Sequence, residues 1–414
     1  MHQLFKAVLP TEEILAELRG ILESGWIGLG PKTAEFERGL SAFIGPRTHF
    51  LALNSCTSAL HLAFKVLDLP KGSRVLTTPL TFVSTNHAIL YEGLTPVFCD
   101  VDPLTGNLDP ESVETALANH PIAAILVVHL GGYPCDMDRI NAMAGPIGIP
   151  VIEDCAHAFG GRYPDGRRIG DTDNLCAWSF QAVKNLPVGD GGAISTTNTM
   201  VRDRLKKLRW LGIDQDTISR FQAAGTEKVY QYKWDYNVGE VGYKYHLNDI
   251  ASAIGVVQLR HVEEANRRRA AIASIYRGRL GDAPGVSLPA YASVDYSSYH
   301  FFPLFFERKA EVYRALVEKE IFPGMHYKRN DRYPMYAECL KVGRKDDTLH
   351  GVEWFEAREL TLPIHLGLTD DDIHAICDVV LSACGQGLSD WGKGGSLPAP
   401  ARAPASSLEK TARS

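Results

Sequence analysis

Three short polar clusters contain the residues most able to carry out chemistry, and one of them centres on Lys184. It stands in SFQAVKNLPVGDGGAIS, where Ser179 ends a strand-like run and glycines punctuate the turn that follows. A lysine amine can form a Schiff base with a carbonyl compound when its position is fixed and its pKa is lowered. A lysine in such a loop is more often simply solvated, so this cluster alone leaves both interpretations open.

Asp154 and His157 form a second cluster, in VIEDCAHAFGG. Asp154 ends an apolar run that predicts a strand, so its carboxylate would project into the cleft beyond that strand. A carboxylate there can pair with a protonated ring nitrogen and make the ring an electron sink. The alternatives are a helix N-cap for Asp154 and a purely structural role for His157.

The third cluster, LNSCTSALHLAF, predicts a strand that runs directly into a helix. The backbone N–H groups of Cys56 and Thr57 and the Thr57 hydroxyl would point at whatever lies before that helix. Free N–H donors and the helix dipole make such a start an anion site. The alternative is an ordinary Ser/Thr helix cap.

The elements around these clusters predict an α/β protein with a mainly parallel sheet. Amphipathic segments such as Ser58–Leu69 alternate with short apolar runs that are typical of strands covered on both faces. The predicted strands are Arg74–Thr78, Pro96–Asp100, Ala123–His129, Pro150–Asp154, Leu175–Phe180 and Gly192–Thr196. Ligands of such sheets bind beyond the carboxyl ends of the strands, which is where the three clusters fall.

Length and composition predict more than one domain and exclude several function classes. We expect a large domain at 1–260, a smaller C-terminal α/β domain at 261–386 and a disordered tail at 387–414, which is rich in Gly, Pro, Ala and Ser. A net charge of −6 gives no reason to expect nucleic acid or a membrane surface as partner. The eight cysteines show no CxxC pair or metal-ligand spacing, and several lie in apolar strand-like runs, which predicts no metal and buried thiols in a reducing compartment. The N-terminus lacks a signal pattern and no run of 18 apolar residues occurs, so we expect a cytoplasmic location.

Taken together and in this order, the clusters closely resemble the DegT/DnrJ/EryC1/StrS family of sugar aminotransferases. The resemblance covers about 370 of the 414 residues. Its segments are SGWIGLGPKTAEFE, NSCTSAL, TPLTFVSTNHAIL, TPVFCDVDP, VVHLGGYPCDMD, EDCAHAFGG, SFQAVKNLPVGDGGAIS, GYKYHLNDIASAIGVVQL, GMHYKRN and LPIHLGLTDDD. It implies the aspartate-aminotransferase-like (type I) fold and pyridoxal 5'-phosphate as cofactor.

The resemblance also implies a role for each residue around the cofactor ring. Lys184 matches the lysine that binds the cofactor and then carries the proton. Asp154 matches the partner of the pyridine nitrogen, and Phe82 matches the aromatic residue that stacks on the ring. His157 matches a position beside the ring and its phenolic oxygen.

Further residues match the phosphate site, which in this family lies at a dimer interface. Cys56, Thr57 and Ser179 match the phosphate cup, although the family usually has glycine at the position of Cys56. The Tyr243–His246 stretch would reach the phosphate of the partner subunit of a homodimer. This chain has Lys244-Tyr245-His246 where many members have Asn-Tyr-Arg, which puts these contacts in doubt and is closer to the branch that aminates C4.

The implied reaction transfers an amino group from an amino acid, by family habit glutamate, to a keto sugar. We expect a nucleotide-linked 4-keto or 3-keto sugar. The HYKRN segment, with His326, Tyr327, Lys328 and Arg329, offers cations suited to a pyrophosphate group, or is a solvated basic loop.

Three other functions remain as alternatives to this reaction. The same scaffold could aminate a cyclitol-type ketone, and no residue in the sequence excludes such a substrate. A dehydratase or deoxygenase is disfavoured by Lys184, because relatives with that chemistry have histidine there. The third alternative is a cofactor-binding regulator that has lost activity.

Overall fold

The computed structural model describes residues 1–214 and 236–385, so the predicted tail at 387–414 lies outside the described residues. Each of the six predicted strands is present to within one residue at either end. The strands are β1 His49–Leu53, β2 Arg74–Thr77, β3 Thr95–Cys99, β4 Ile122–Val128, β5 Val151–Asp154, β6 Leu175–Ser179, β7 Gly192–Thr196, β8 Val286–Ser287, β9 Pro303–Phe306, β10 Lys341–Val342 and β11 Glu359–Thr361.

Helices cover the sheet and fill the C-terminal part of the chain. The described α-helices are α1 Thr11–Ser24, α2 Pro31–Ile44, α3 Cys56–Lys65, α4 Val83–Tyr91, α5 Pro110–Asn119, α6 Met137–Ala144, α7 Thr199–Leu208, α8 Asp249–Leu280, α9 Lys309–Glu318, α10 His350–Arg358 and α11 Asp370–Gly385. Short 3-10 turns occur at Leu130–Gly132, Gly145–Ile147, Val294–Tyr296, Asn330–Arg332 and Pro334–Tyr336. None of the helices in the described ranges combines the length and apolar content needed to cross a bilayer.

The large sheet has eight strands in the order β1-β7-β6-β5-β4-β2-β3-β10. Only β7 runs antiparallel to its neighbours among these strands. Helices pack on both faces, which is why central strands such as β4 (IAAILVV) are apolar without alternation. The parallel direction of β1, β5 and β6 brings their carboxyl ends to one edge of the sheet.

A smaller antiparallel sheet, in the order β11-β9-β8, lies in the C-terminal part of the chain. Its core is rich in phenylalanine, including Phe301, Phe302 and Phe305, all of which are buried. The long helix α8 begins beside the large sheet and ends in this second core. A domain boundary near residue 260 would therefore fall within one continuous helix, and it stays a prediction.

Candidate active site

Lys184 lies in the loop between β6 and β7, with its side chain half-buried at the carboxyl edge of the sheet. Its Nζ lies 3.3 Å from Nε2 of His300. Burial lowers the pKa of Lys184 to about 8, and the nearby groups of Cys56 and Asp154 oppose this shift. A substantial fraction of the amine is therefore neutral near physiological pH, which is the form that attacks a carbonyl carbon.

Asp154 is the last residue of β5 and is buried. Its Oδ2 accepts a hydrogen bond of 2.8 Å from the Thr85 hydroxyl, and its Oδ1 accepts one of 3.0 Å from the Ala156 N–H. The Cys56 thiol lies 3.9 Å from Oδ1. Burial raises the pKa of Asp154, while the two hydrogen bonds work in the opposite direction. The carboxylate is thus held rigidly at the edge where β1 and β6 also end.

His157 stacks on His300, with ring centroids 4.6 Å apart. Its Nε2 lies 3.0 Å from the hydroxyl of Tyr327. Burial holds the pKa of His157 well below its usual range, so the ring is neutral. Its buried Nδ1 has no hydrogen-bond partner among the described residues. Because a buried polar atom without a partner is costly, this nitrogen is suited to a bound polar group.

The start of α3 offers free donors to an anion. Cys56 and Thr57 occupy the first two helical positions, whose N–H groups have no acceptor within the helix. Ser55 is the N-cap, and its side chain accepts a hydrogen bond from the Ser58 N–H instead. The cap interpretation and the anion-site interpretation are thus compatible, because the cap leaves the two preceding donors free.

Ser179 lies beside this helix start because of a glycine. Gly192 pairs with Leu53 on one side and with Ser179 on the other. A Cβ on Gly192 would lie 2.5 Å from the backbone nitrogen of Cys56, so only glycine permits this close approach. The strand ends and the helix start therefore form one cradle, in which a hydroxyl and two N–H groups can surround a phosphate.

Phe82 is the N-cap residue of α4, and its side chain is 58% exposed. Its ring centroid lies 6.1 Å from that of Tyr327. Tyr327 in turn contacts His157, and Thr85, three residues after Phe82, contacts Asp154. An exposed phenylalanine at this place is suited to cover a flat ligand. These features and the anion cradle fit a phosphate-bearing heteroaromatic ring such as that of pyridoxal phosphate.

Lys244 and His246 lie next to the cradle but face Trp210. The Lys244 Nζ lies 3.6 Å from the centroid of the Trp210 ring, and the imidazole of His246 contacts the same ring edge-on at 4.4 Å. Burial lowers the pKa of His246 to about 4. The backbone of this stretch runs along the end of β1, where Asn54 N–H donates to the Tyr245 carbonyl at 2.7 Å. A contact with a partner subunit stays a prediction.

The HYKRN segment divides into buried and exposed residues. His326 is buried against Phe301, with ring centroids 4.3 Å apart. Arg329 is also buried, and its guanidinium makes two hydrogen bonds of 2.7 Å with the Asp331 carboxylate. Lys328 is exposed. The alternative of a solvated basic loop therefore does not describe the segment as a whole, and Arg329 is already engaged by an acid.

Sequence reasoning missed His300 and Thr85, which contact Lys184 and Asp154 respectively. His300 lies 116 residues from Lys184 along the chain, in a segment to which the sequence analysis assigned no role. Thr85 follows Phe82 by three residues at the start of α4, so the resemblance included its segment without assigning it a role. Both residues are recognisable only once the fold brings them to the strand ends.

A buried polar network lies beneath Asp154 and includes the preceding residue, Glu153. Glu153 accepts hydrogen bonds from His129 Nε2 at 2.7 Å, from the Tyr163 hydroxyl at 2.6 Å and from Asn174 at 2.7 Å. Possible metal-ligand atoms of His129, Glu153 and Cys155 lie within 4.8 Å of one another. The hydrogen bonds engage both Glu153 oxygens and both His129 nitrogens, so the arrangement is that of a structural network.

Comparison with known proteins finds similar proteins that match this chain over most of its length. A profile of the DegT/DnrJ/EryC1/StrS aminotransferase family matches residues 9–381. The spore coat polysaccharide biosynthesis protein SpsC of Bacillus subtilis is 34% identical over 376 residues, which are 89% of this chain and 94% of that protein.

Two solved structures show the same architecture. The sugar aminotransferase CalS13 of Micromonospora echinospora is 32% identical with a TM-score of 0.81, and the match covers 92% of this chain and all of that one. The PLP form of Spr1654, a putative sugar aminotransferase of Streptococcus pneumoniae, is 26% identical with a TM-score of 0.79, over 93% of this chain and 99% of that one.

Proposed function

Because the chain belongs to the DegT/DnrJ/EryC1/StrS aminotransferase family, we propose that it transfers an amino group from an amino acid to a nucleotide-linked keto sugar. It is an aminotransferase with the type I fold. We propose glutamate as the donor and C4 or C3 of the sugar as the carbon that receives the amine. The description of CalS13 as a sugar aminotransferase and of SpsC as a polysaccharide biosynthesis protein supports a sugar acceptor.

Pyridoxal phosphate is the proposed cofactor, and three residues would surround its ring. Asp154 would accept a hydrogen bond from the ring nitrogen and keep it protonated. Phe82 would cover one face, and His157 would donate from Nδ1 toward the phenolic oxygen. The bound cofactor would supply a carbonyl group that takes up the amine and a ring that withdraws electrons from the reacting carbon.

Lys184 carries the proposal, because its amine is half-buried, has a pKa lowered to about 8 and lies within electrostatic range of Asp154. Its Nζ would bond to the cofactor in the resting enzyme. During the reaction the freed Nζ would take a proton from the carbon of the amino-acid donor that carries the amine. It would return this proton to the carbon of the cofactor's carbonyl group. An amine with an unshifted pKa would be almost fully protonated at neutral pH and could do neither efficiently.

The phosphate would lie at the start of α3. The N–H groups of Cys56 and Thr57 and the hydroxyl of Ser179 would donate to it. We propose that a homodimer completes each site and that Lys244 and His246 of one subunit approach the phosphate of the other. For this contact, the side chains of Lys244 and His246 must either move away from the Trp210 ring or extend beyond it.

The acceptor would bind on the Tyr327 side of the ring. Tyr327 and His326 border the site, and the exposed Lys328 could meet a substrate phosphate. Arg329 would instead hold the segment in place, since Asp331 engages its guanidinium on two sides.

The visible absorbance spectrum of the purified protein tests the first half-reaction. We expect a band of lysine-bound cofactor that shifts when glutamate is added, and that Lys184→Ala lacks. Lys71→Ala, a change on the exposed surface, should behave as wild type. Incubation with isotopically labelled glutamate nitrogen and a panel of nucleotide-linked keto sugars should then give a labelled amino sugar.

Two results would contradict the proposal. A protein without the cofactor band would not be an enzyme of this type. A protein that consumes a keto sugar by losing water, with no labelled nitrogen in the product, would be a dehydratase. Turnover of cyclitol ketones in place of keto sugars would keep the reaction and replace the acceptor.

A further inference from the structure

A cavity of about 420 Å³ lies on the side of the Lys184 loop that faces α8 and the N-terminal segment. Lys184, Asn185 and His300 form one wall, Phe5 and Lys6 form another, and Arg268, Arg269 and His365 close it. Asp154, Phe82 and the α3 helix start do not border it. Lys184 therefore separates this cavity from the cofactor cradle.

Arg269 is buried in this cavity wall without an acidic partner. Only 8% of its surface is exposed, and among the described residues no carboxylate pairs with it. Its one hydrogen bond within residues 1–214 and 236–385, of 3.2 Å, goes from Nη1 to the side-chain oxygen of Asn266. The adjacent Arg268, by contrast, is bound to Asp370 at 2.7 Å. Burial lowers the pKa of Arg269 to about 10, which still leaves it charged at neutral pH.

Asn185 adds a second unsatisfied group to the same cavity. Its side-chain nitrogen donates to the Ser298 carbonyl at 2.7 Å and to the Asn266 side-chain oxygen at 2.8 Å. Because both neighbours are acceptors, the amide orientation is fixed and its oxygen faces away from them. That oxygen is buried and has no hydrogen-bond partner in the part of the chain that the structure describes. Asn266 thus links Arg269 to the residue that follows Lys184.

A buried cation without an acid is costly, since the charge has lost its water and gained no opposite charge. Proteins retain such a group where a ligand supplies the missing charge. A guanidinium offers five donors in a planar fork that matches carboxylate and phosphate oxygens. Lys6 and Lys184 add positive charge to the cavity, against a single acidic lining residue, Glu264.

We propose that this cavity is an oxyanion subsite in which Arg269 binds the carboxylate or phosphate of a substrate while its carbon reacts at Lys184. Asn185 Oδ1 accepts a hydrogen bond from an amine or hydroxyl of the same ligand. The inference rests on the proposed function, because that function supplies two anionic substrates. The carboxylate would belong to the amino-acid donor. The phosphate would belong to the nucleotide-linked sugar, and Arg269 would then take the role proposed above for Lys328.

Calorimetric titration distinguishes the two sources without requiring turnover. The protein, first saturated with pyridoxal phosphate so that the cradle is filled, is titrated with glutarate and separately with inorganic pyrophosphate. We expect one of the two anions to bind and Arg269→Met to weaken it at least about tenfold, as for a lost hydrogen bond to a charged group. Arg267→Met removes the same charge from an exposed neighbour outside the cavity and should leave binding unchanged.

Stability measurements separate this role from a structural one. Without ligand, Arg269→Met should unfold at the wild-type temperature or above it, because it removes a buried unpaired charge and keeps the apolar bulk. If Arg269→Met does not fold, Arg269→Lys serves as the test variant. Lysine keeps the charge but lacks the planar guanidinium, so this variant should bind the anion more weakly than wild type.

The proposal is overturned if wild-type protein binds neither anion, or if the Arg269 variants bind it as tightly as wild type. Arg269-dependent binding of glutarate would identify the donor, and Arg269-dependent binding of pyrophosphate would identify the sugar nucleotide. Anion binding that depends on Arg269 in a protein whose spectrum ignores every amino acid would overturn the proposed function alone.

Discussion

The imidazole of His300 lies with Nε2 3.3 Å from the ε-amino nitrogen of Lys184. The same ring stacks on Phe5 at 5.1 Å and on His157 at 4.6 Å. Burial holds the pKa of His300 well below its usual range, so Nε2 can accept a hydrogen bond from the ammonium form of Lys184. His300 is thus neutral and held between two rings, so it orients the Lys184 amine without placing a charge beside it.

Replacing His300 tests whether it positions Lys184. His300→Phe keeps the stacking on both neighbours and removes the ring nitrogen. We expect the half-reaction with glutamate to slow by about tenfold to a hundredfold, because a loosely held amine transfers protons less efficiently. Stopped-flow spectra across pH measure the rate, and the cofactor band should persist. His350→Phe, on the exposed surface, is the control. A wild-type rate and pH profile would mean that His300 only packs.

The shifted pKa of Lys184 predicts how the stability of the cofactor-free protein depends on pH. The unfolded lysine keeps its proton up to a pKa near 10.5, whereas the folded one loses it near 8. Between these values the unfolded state binds more protons, so wild-type stability rises with pH. Below pH 8 the buried charge costs stability in full. Chemical denaturation should therefore find Lys184→Met more stable than wild type at pH 7, with the difference vanishing above about 10.5. A pH-independent difference would contradict the shift.

Tyr327→Phe tests the orientation of His157. Burial raises the pKa of Tyr327, so its hydroxyl keeps the proton and donates to Nε2. This leaves the imidazole proton on Nδ1, where it can meet the cofactor. Without the hydroxyl, we expect cofactor affinity to fall about fivefold to tenfold, as for a lost hydrogen bond of about 1 kcal/mol. Spectroscopic titration with pyridoxal phosphate measures this, with the half-exposed Tyr313→Phe as control. Equal affinities would show that His157 is oriented by other contacts.

The network beneath Asp154 predicts a large stability loss for Glu153→Gln. Burial would raise the pKa of Glu153, but hydrogen bonds from His129, Tyr163 and Asn174 lower it overall. Glutamine offers one acceptor oxygen to donors that now share two, so we expect a loss of about 3 kcal/mol by urea denaturation.

The same shift gives the pH dependence of that loss. As pH falls below 4.5, the unfolded chain takes up a proton on Glu153 before the folded protein does, because the folded pKa is lowered, so wild type should progressively lose its advantage. Glu111→Gln, which breaks an exposed pair of 3.4 Å with Arg344, should cost less than about 1 kcal/mol. Similar losses in the free energy of unfolding for Glu153→Gln and Glu111→Gln would show that the buried carboxylate stabilises the fold no more than an exposed one.

Hybrid dimers test the proposed shared site. Lys184→Ala and His246→Ala should each reduce activity when pure. If His246 reaches the partner's phosphate, a mixed dimer places both changes in one site and leaves the other site intact, so mixing should restore activity. The control mixture of Lys184→Ala with Asp154→Asn should restore no activity, because both residues belong to the same subunit's site.

The two mixtures differ because of where the second change falls. Lys184 and Asp154 of one chain border one cradle, so every site in their hybrid carries one damaged residue. Restoration in the first mixture and not in the second supports the exchange. Absence of restoration in both would mean that Lys244 and His246 act within their own chain, beside Trp210.

The strands of the large sheet could be predicted from local sequence patterns. A strand buried on both faces must be continuously apolar, whichever strands it pairs with. The residues at their ends were predictable for a related reason. In a parallel sheet the carboxyl ends share an edge, so Asp154 and Ser179 had to lie near the start of the helix at Cys56.

The sequence by itself therefore determined the fold class and the edge of the sheet at which Asp154, Ser179 and Cys56 meet. Only the tertiary structure decided which distant side chains meet there. Arg329, in HYKRN, is held by the buried Asp331, while Arg269 is buried with no carboxylate paired to it among the described residues. The physical reason is that burial and ion pairing depend on chain segments that are distant in sequence and become neighbours only in the folded protein. A local sequence pattern cannot show which segments these are.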